Sequence, residues 1–137
     1  MYCKLIQIMI IFMTLCSCTG CNKNQKLTGT VRFTDGEPLT VGTVVFDDGR
    51  FLARSFIQKD GRFDVGVLKD GDGIPPGRYK VFITDAYESV IDPKNPKGES
   101  FRLLIDRKFA FKDQTPLEIE IPGEKTFNII VERPPTK

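Results

Sequence analysis

Apolar and polar residues alternate with a period of two over most of the chain from Leu27 onward. In the first such run, Leu27, Gly29, Val31 and Phe33 alternate with polar residues, which predicts a strand with one buried face. The same pattern predicts six further strands, at residues 42–46, 51–58, 62–67, 79–84, 117–121 and 127–131. No segment shows a sustained helical period, so the sequence predicts an all-β protein.

Turn-forming residues separate these strands. Asp35-Gly36, Asp47-Asp48-Gly49 and Lys59-Asp60-Gly61 combine glycine, which tolerates positive φ, with aspartate, which bonds its own backbone. A turn about every 12 residues is typical of an antiparallel sandwich, here of seven strands. The positions expected to carry its core include Val31, Phe33, Phe63, Tyr79, Val81, Ile119 and Phe127.

The connection from Ala86 to Thr115 breaks this regular spacing. It holds the proline-rich run DPKNPKG, then the apolar piece Phe101–Ile105. Because proline lacks an amide donor, we expect an exposed excursion followed by a segment that returns to the core. Exposed loops on a rigid scaffold often carry recognition, so residues 86–107 are the best candidate for partner contact.

The first 21 residues form a separate unit, MYCKLIQIMIIFMTLCSCTGC. One lysine, then an apolar run from Leu5 to Leu15, then small residues make up the three parts of a secretory signal. A membrane-spanning helix needs roughly 20 apolar residues, and this run is about half as long. The sequence therefore predicts a signal peptide at residues 1–17, a polar tether at 18–26 and a folded domain at 27–133.

The cysteine that follows the small residues resembles the lipobox of bacterial lipoproteins, whose thiol is acylated. Cleavage before Cys18 gives Leu15-Cys16-Ser17-Cys18, with the leucine that such signals carry three residues upstream. Cleavage before Cys21 gives a better pair of small residues but lacks that leucine. Cys18 is therefore the predicted lipidation site and Cys21 the alternative.

Composition narrows the possible functions. No cysteine follows Cys21, so the exported domain must be stabilised without disulfides. The net charge of +2, without a charge block, argues against nucleic acid as a partner. The chain has no histidine, which removes the commonest general base and metal ligand. We expect no enzymatic activity and no cofactor.

Three stretches of the domain resemble a known family: GTVRFTDGEPLTVGTVVFDDG, KDGRFDV and GDGIPPGRYKVFIT. They are similar to carboxypeptidase regulatory-like domains, which are small prealbumin-like (transthyretin-like) β-sandwiches. With the signal peptide and the closing RKFAFKDQTPLEIEIPGEKTFNIIVE, the chain resembles small exported lipoproteins abundant in planctomycetes and related phyla. The resemblance implies a seven-stranded transthyretin-like sandwich and little chemistry, because a fold does not fix a function.

Acidic residues give two candidate sites. Asp70 and Asp72 lie two apart in a glycine-rich loop and could bind Ca²⁺, but a distal bidentate glutamate is missing, so we interpret them as turn residues. Glu118 and Glu120 alternate with apolar residues and predict a solvated strand face.

A further candidate is basic and aromatic. Arg102, Arg107, Lys108 and Lys112 are interleaved with phenylalanines, a pattern that can bind nucleic acid or acidic glycans. We interpret these rings, Phe101, Phe109 and Phe111, as core residues instead.

The function predicted from the sequence is a non-enzymatic, lipid-anchored module of the cell envelope, either structural or protein-binding. The alternative is a carbohydrate-binding or accessory module that presents glycan to envelope enzymes. Its predicted partners are the membrane, through the N-terminal lipid, and an unknown envelope protein or glycan. Its predicted place is the outer membrane, on the periplasmic or surface face.

Overall fold

The computed structural model describes residues 23–67, 69 and 71–136. Nine strands occur in these residues, and a 3₁₀ turn at Arg107–Phe109 is the single helical element among them. The strands are β1 (Thr28–Phe33), β2 (Thr43–Asp47), β3 (Leu52–Phe56), β4 (Arg62–Asp64), β5 (Gly77–Thr84), β6 (Tyr87–Ile91), β7 (Glu99–Leu103), β8 (Glu118–Ile121) and β9 (Thr126–Val131). The all-β prediction is confirmed.

Seven of the strands form two sheets that enclose one core. One sheet has the order β3-β2-β5-β8 and the other β4-β1-β9. The pairs within the four-stranded sheet are antiparallel, but β1 and β9 run parallel, from Thr28 opposite Thr126 to Phe33 opposite Val131. The prediction of a wholly antiparallel sandwich is therefore wrong at this pair. Hydrophobic alternation reports which face is buried and carries no information about strand direction.

The core lies where the inner faces of the two sheets meet. The ring of Phe46 packs 6.1 Å from that of Phe63 and 6.4 Å from that of Phe127, so these rings join the sheets. Five of the seven predicted core positions are buried: Val31, Phe33, Phe63, Tyr79 and Val81. Ile119 and Phe127 are half-buried and pack against the margin of the core, so both contribute to it without being fully enclosed. Both lie on strands that form the sheet edges.

Gly29 marks a close approach of β1 to its neighbours. A β-carbon at this position would lie 1.9 Å from the carbonyl oxygen of Phe127 and 2.5 Å from the ring of Phe63. The nearest atom belongs to the backbone, so a rotamer change cannot relieve the contact. Glycine therefore permits both the β1–β9 pairing and the packing of Phe63 beneath it.

Gly29→Ala is expected to lower the free energy of unfolding by about 3 kcal/mol, the upper end of typical overpacking. The matched control is Gly36→Ala. Gly36 has φ of +90°, and a β-carbon there would meet nothing within 4 Å, so only backbone strain of about 1 kcal/mol is expected. Urea unfolding followed by circular dichroism measures both values. Equal losses would mean that β1 does not pack against Phe127 as described.

Candidate functional site

The predicted excursion from Ala86 contains an additional β-hairpin, which the sequence pattern did not predict. It is built from β6 and β7, and the DPKNPKG turn joins them with its residues exposed apart from a half-buried Gly98. Asp85, with φ of +58°, redirects the chain out of β5, a conformation that aspartate tolerates. The hairpin is closed at its base by the amide of Leu104, which donates to the carbonyl of Ala86 over 2.9 Å.

One face of this hairpin is apolar and uncovered. Tyr87 lies opposite Leu103, and Ser89 opposite Phe101, so the apolar members of these pairs share a face. Tyr87 is 47% exposed, while Ile91 and Phe101 are each 69% exposed. A two-stranded hairpin has no second layer of its own to cover such a face.

The apolar face continues into a groove of about 800 Å³, which we call the hairpin groove. Tyr87, Phe101 and Leu103 form its hairpin side. Its apolar lining is completed on the side of the sandwich by Ile105, Phe111, Pro134 and Pro135. Its polar lining residues are Arg102, Asp106 and Arg107.

Of the three charged residues at the groove, two have polar partners and one, Arg107, has no ion pair within the described residues. Arg102 forms an ion pair with Glu88 across the hairpin. The carboxylate of Asp106 caps the 3₁₀ turn by accepting a hydrogen bond from the amide of Lys108 over 2.9 Å. The guanidinium of Arg107 lies 5.5 Å from the ring centre of Phe111 and has no ion pair within the part of the chain described. Arg107 is thus a cation available to an anionic ligand.

The groove lies at the end of the sandwich opposite to the one where the chain enters. At the entry end, Gln25 pairs with Ile74, and its side-chain amide donates to the carbonyl of Glu124 over 3.0 Å. β5 starts near that end and runs to Thr84, where the hairpin begins. Since a strand rises about 3.3 Å per residue, its eight residues separate the two ends by roughly 25 Å.

Of the two aspartates considered as a metal site, Asp72 accepts hydrogen bonds from backbone amides. Asp72 accepts hydrogen bonds from the amides of Val67 and Lys69, at 2.7 and 3.3 Å, as a turn residue does. Asp70 lies outside the described residues. Among those described, no group of three or more potential metal-ligating His, Cys, Asp or Glu side chains comes together.

Other carboxylates are held in ion pairs or turns. The Lys80 ammonium, 2.5 Å from Glu118, lowers the pKa of that carboxyl group. Lys112, 2.9 Å from Asp47, lowers the pKa of Asp47 in the same way. The amides of Phe51 and Arg50 lower the pKa of Asp48 by donating to it. Groups shifted in this direction stay ionised at neutral pH and are poorly suited to act as general acids.

The basic and aromatic segment divides between the core and the groove. Phe109 is buried, as predicted, and Ile105 beside it returns the chain to the core. Phe101 and Phe111 are exposed, so their prediction as core residues is wrong. The sequence Tyr87–Ile91 reads apolar, polar, polar, apolar, apolar, so no period-two signal marked this strand.

The predicted signal peptide, Cys18 and Cys21 lie outside the described residues. In the portion that is described, no helix has the length and apolar character needed to cross a membrane.

No family model matches the chain, and no curated protein matches it. In structure it is similar to the major pilin subunit of Bacillus cereus, with a TM-score of 0.50 and 14% identity. That match covers 82% of this chain and 30% of the pilin chain, so this protein spans under a third of the pilin's length. A 9R-lipoxygenase from Cyanothece matches with a TM-score of 0.37 and 17% identity, over 82% of this chain and 17% of that one. The pilin supports a β-sandwich fold and nothing beyond it.

Proposed function

We propose that this protein is a non-enzymatic, lipid-anchored module of the cell envelope that binds a partner protein through the hairpin groove. The observation that carries the proposal is the uncovered aromatic lining of that groove. Soluble domains rarely leave large rings clustered at the surface, and such clusters mark interaction sites. Tyr87, Phe101 and Phe111 form one here, with Arg107 beside them.

The finer family assignment is part of the proposal. The seven strands expected from the resemblance to carboxypeptidase regulatory-like domains occur in order along the chain, divided into sheets of four and three. This division supports a prealbumin-like sandwich to which the β6–β7 hairpin is an addition. The hairpin would then be the element particular to this chain.

The position of the groove suits display from a membrane. If the lipid is attached at Cys18, the chain would reach the domain at the entry end, beside Gln25 and Ile74. The groove lies roughly 25 Å away at the other end of the sandwich. The anchor would hold the domain to the outer membrane, on its periplasmic or surface face, while the groove points away from the lipid.

Site-specific cross-linking in the native envelope tests this proposal. A photoreactive benzoyl-phenylalanine would replace Phe101 in the full-length, membrane-anchored protein. Its matched control replaces Phe56, a phenylalanine on β3 that is exposed to nearly the same extent, 66% against 69%. A discrete adduct is expected from position 101 and none from position 56. Absence of an adduct at 101, or identical adducts at both positions, would contradict the proposal.

A carbohydrate-binding role is the second candidate, and the exposed rings favour it. An apolar ring face can contact a sugar, and Arg107 could pair with an acidic glycan. A glycan array probed with the full-length protein and with Phe101→Ser separates the two roles. Glycan binding that is lost in the variant would support this second candidate over a protein partner.

A further inference from the structure

Strand β7 has an open hydrogen-bonding edge, and three of its residues line the hairpin groove. It pairs with β6 and with no other strand in the described portion of the chain. The hydrogen bond from the Leu104 amide to the Ala86 carbonyl shows which residues of β7 bond β6. In an antiparallel ladder, opposed pairs that exchange backbone hydrogen bonds alternate with opposed pairs that do not. Because Leu104 and Ala86 are a bonded pair, Arg102 and Ser100 also bond β6, whereas Leu103 and Phe101 do not. The N–H and C=O groups of Phe101 and Leu103 therefore point away from the hairpin.

The outward N–H and C=O groups of Phe101 and Leu103 could be hydrogen-bonded by the backbone of a bound segment. Both Phe101 and Leu103 also line the hairpin groove, so the open edge borders the groove. On the far side of the groove lie Pro134 and Pro135, which have no amide hydrogen to donate. A segment of extended backbone placed in the groove could bond both residues of the open edge.

Side-chain contacts would select which segment binds. An extended strand presents alternate side chains to one face, and here that face meets Tyr87, Phe101 and Phe111. Apolar residues at every second position would cover these exposed rings. The guanidinium of Arg107, which has no ion pair within the described part of the chain, would attract a carboxylate.

We propose that the hairpin groove binds an extended segment of a partner protein, which adds to β7 as a third strand. The segment has an apolar residue at every second position, and these side chains pack on the aromatic lining. It also carries an aspartate or glutamate that pairs with Arg107. This inference rests on the proposed binding role of the groove and names its ligand class. A hairpin of two strands gains a third strand and a covered face on binding.

A random nine-residue peptide library, selected on the purified full-length protein in detergent, tests the inference. We expect enriched peptides with alternating apolar residues and at least one acid. Their affinity should fall at least about tenfold with Phe101→Ser, a loss of about 1.4 kcal/mol. It should fall with Arg107→Gln for the acidic peptides and stay unchanged with Phe56→Ser. Phe56 serves as the matched exposed ring.

Backbone methylation of a selected peptide distinguishes strand addition from side-chain docking. In an added strand only every second amide bonds β7. N-methylation of one alternate set of amides should abolish binding, and methylation of the other set should be tolerated. Tolerance of both sets would overturn strand addition, as would failure to enrich any peptide.

Other outcomes assign the groove to a different occupant. Dimers of the full-length protein that Phe101→Ser dissociates would make a second copy the occupant and overturn the inference. Glycan binding that depends on Phe101, without peptide binding, would overturn it and leave a binding role for the groove. Absence of a cross-linked adduct at position 101 in the native envelope would instead refute the proposed function itself.

Discussion

Ile129→Ala is expected to lower the free energy of unfolding by about 2–5 kcal/mol, the range for truncating a buried isoleucine. Ile129 is 1% exposed and lies on the inner face of β9. The substitution removes apolar atoms from between the two sheets and leaves a cavity. Because small domains are stable by roughly 5–15 kcal/mol, the variant could lose much of its stability.

The matched control is the next residue, Ile130→Ala, which makes the same chemical change on the outer face. Ile130 is 52% exposed, so a cost of under about 0.5 kcal/mol is expected. Denaturant unfolding of the two variants beside the parent protein measures the difference. Similar losses for both would mean that β9 does not present alternate faces to core and solvent.

Cys18→Ser is expected to abolish incorporation of radiolabelled palmitate in cells. The thiol of this cysteine is the predicted acylation site, and a hydroxyl group does not replace it in that modification. Radiolabelling of cells followed by gel electrophoresis of the protein measures this incorporation.

Cys3→Ser provides the control, since Cys3 precedes the apolar run and should leave labelling intact. Loss of labelling with Cys21→Ser instead would assign the site to the alternative cysteine. Labelling that survives substitution of both Cys18 and Cys21 would refute the lipoprotein prediction altogether.

The sequence predicted the exposure of the candidate site but did not predict the two strands that form it. The prolines of DPKNPKG correctly predicted exposure, because they cannot donate to a sheet. The segments on either side carry no strand prediction, since neither YESVI nor ESFRL alternates apolar and polar residues through its length. A pair of short strands becomes evident only when their register, such as Ser89 opposite Phe101, is known.

The period-two alternation and the Asp-Gly turns were sufficient to predict seven strands and most of the core, since both are local properties of the chain. Three features depended on contacts between distant residues. The parallel pairing of β1 with β9 brings together segments almost 100 residues apart. The need for glycine at position 29 arises from the Phe127 carbonyl that lies 1.9 Å from where a β-carbon would stand. The exposure of Phe101, in contrast to the burial of Phe109, follows from the absence of a second layer over the described hairpin. A sequence pattern shows that a side chain prefers burial, but only the packed structure decides whether another element is there to bury it.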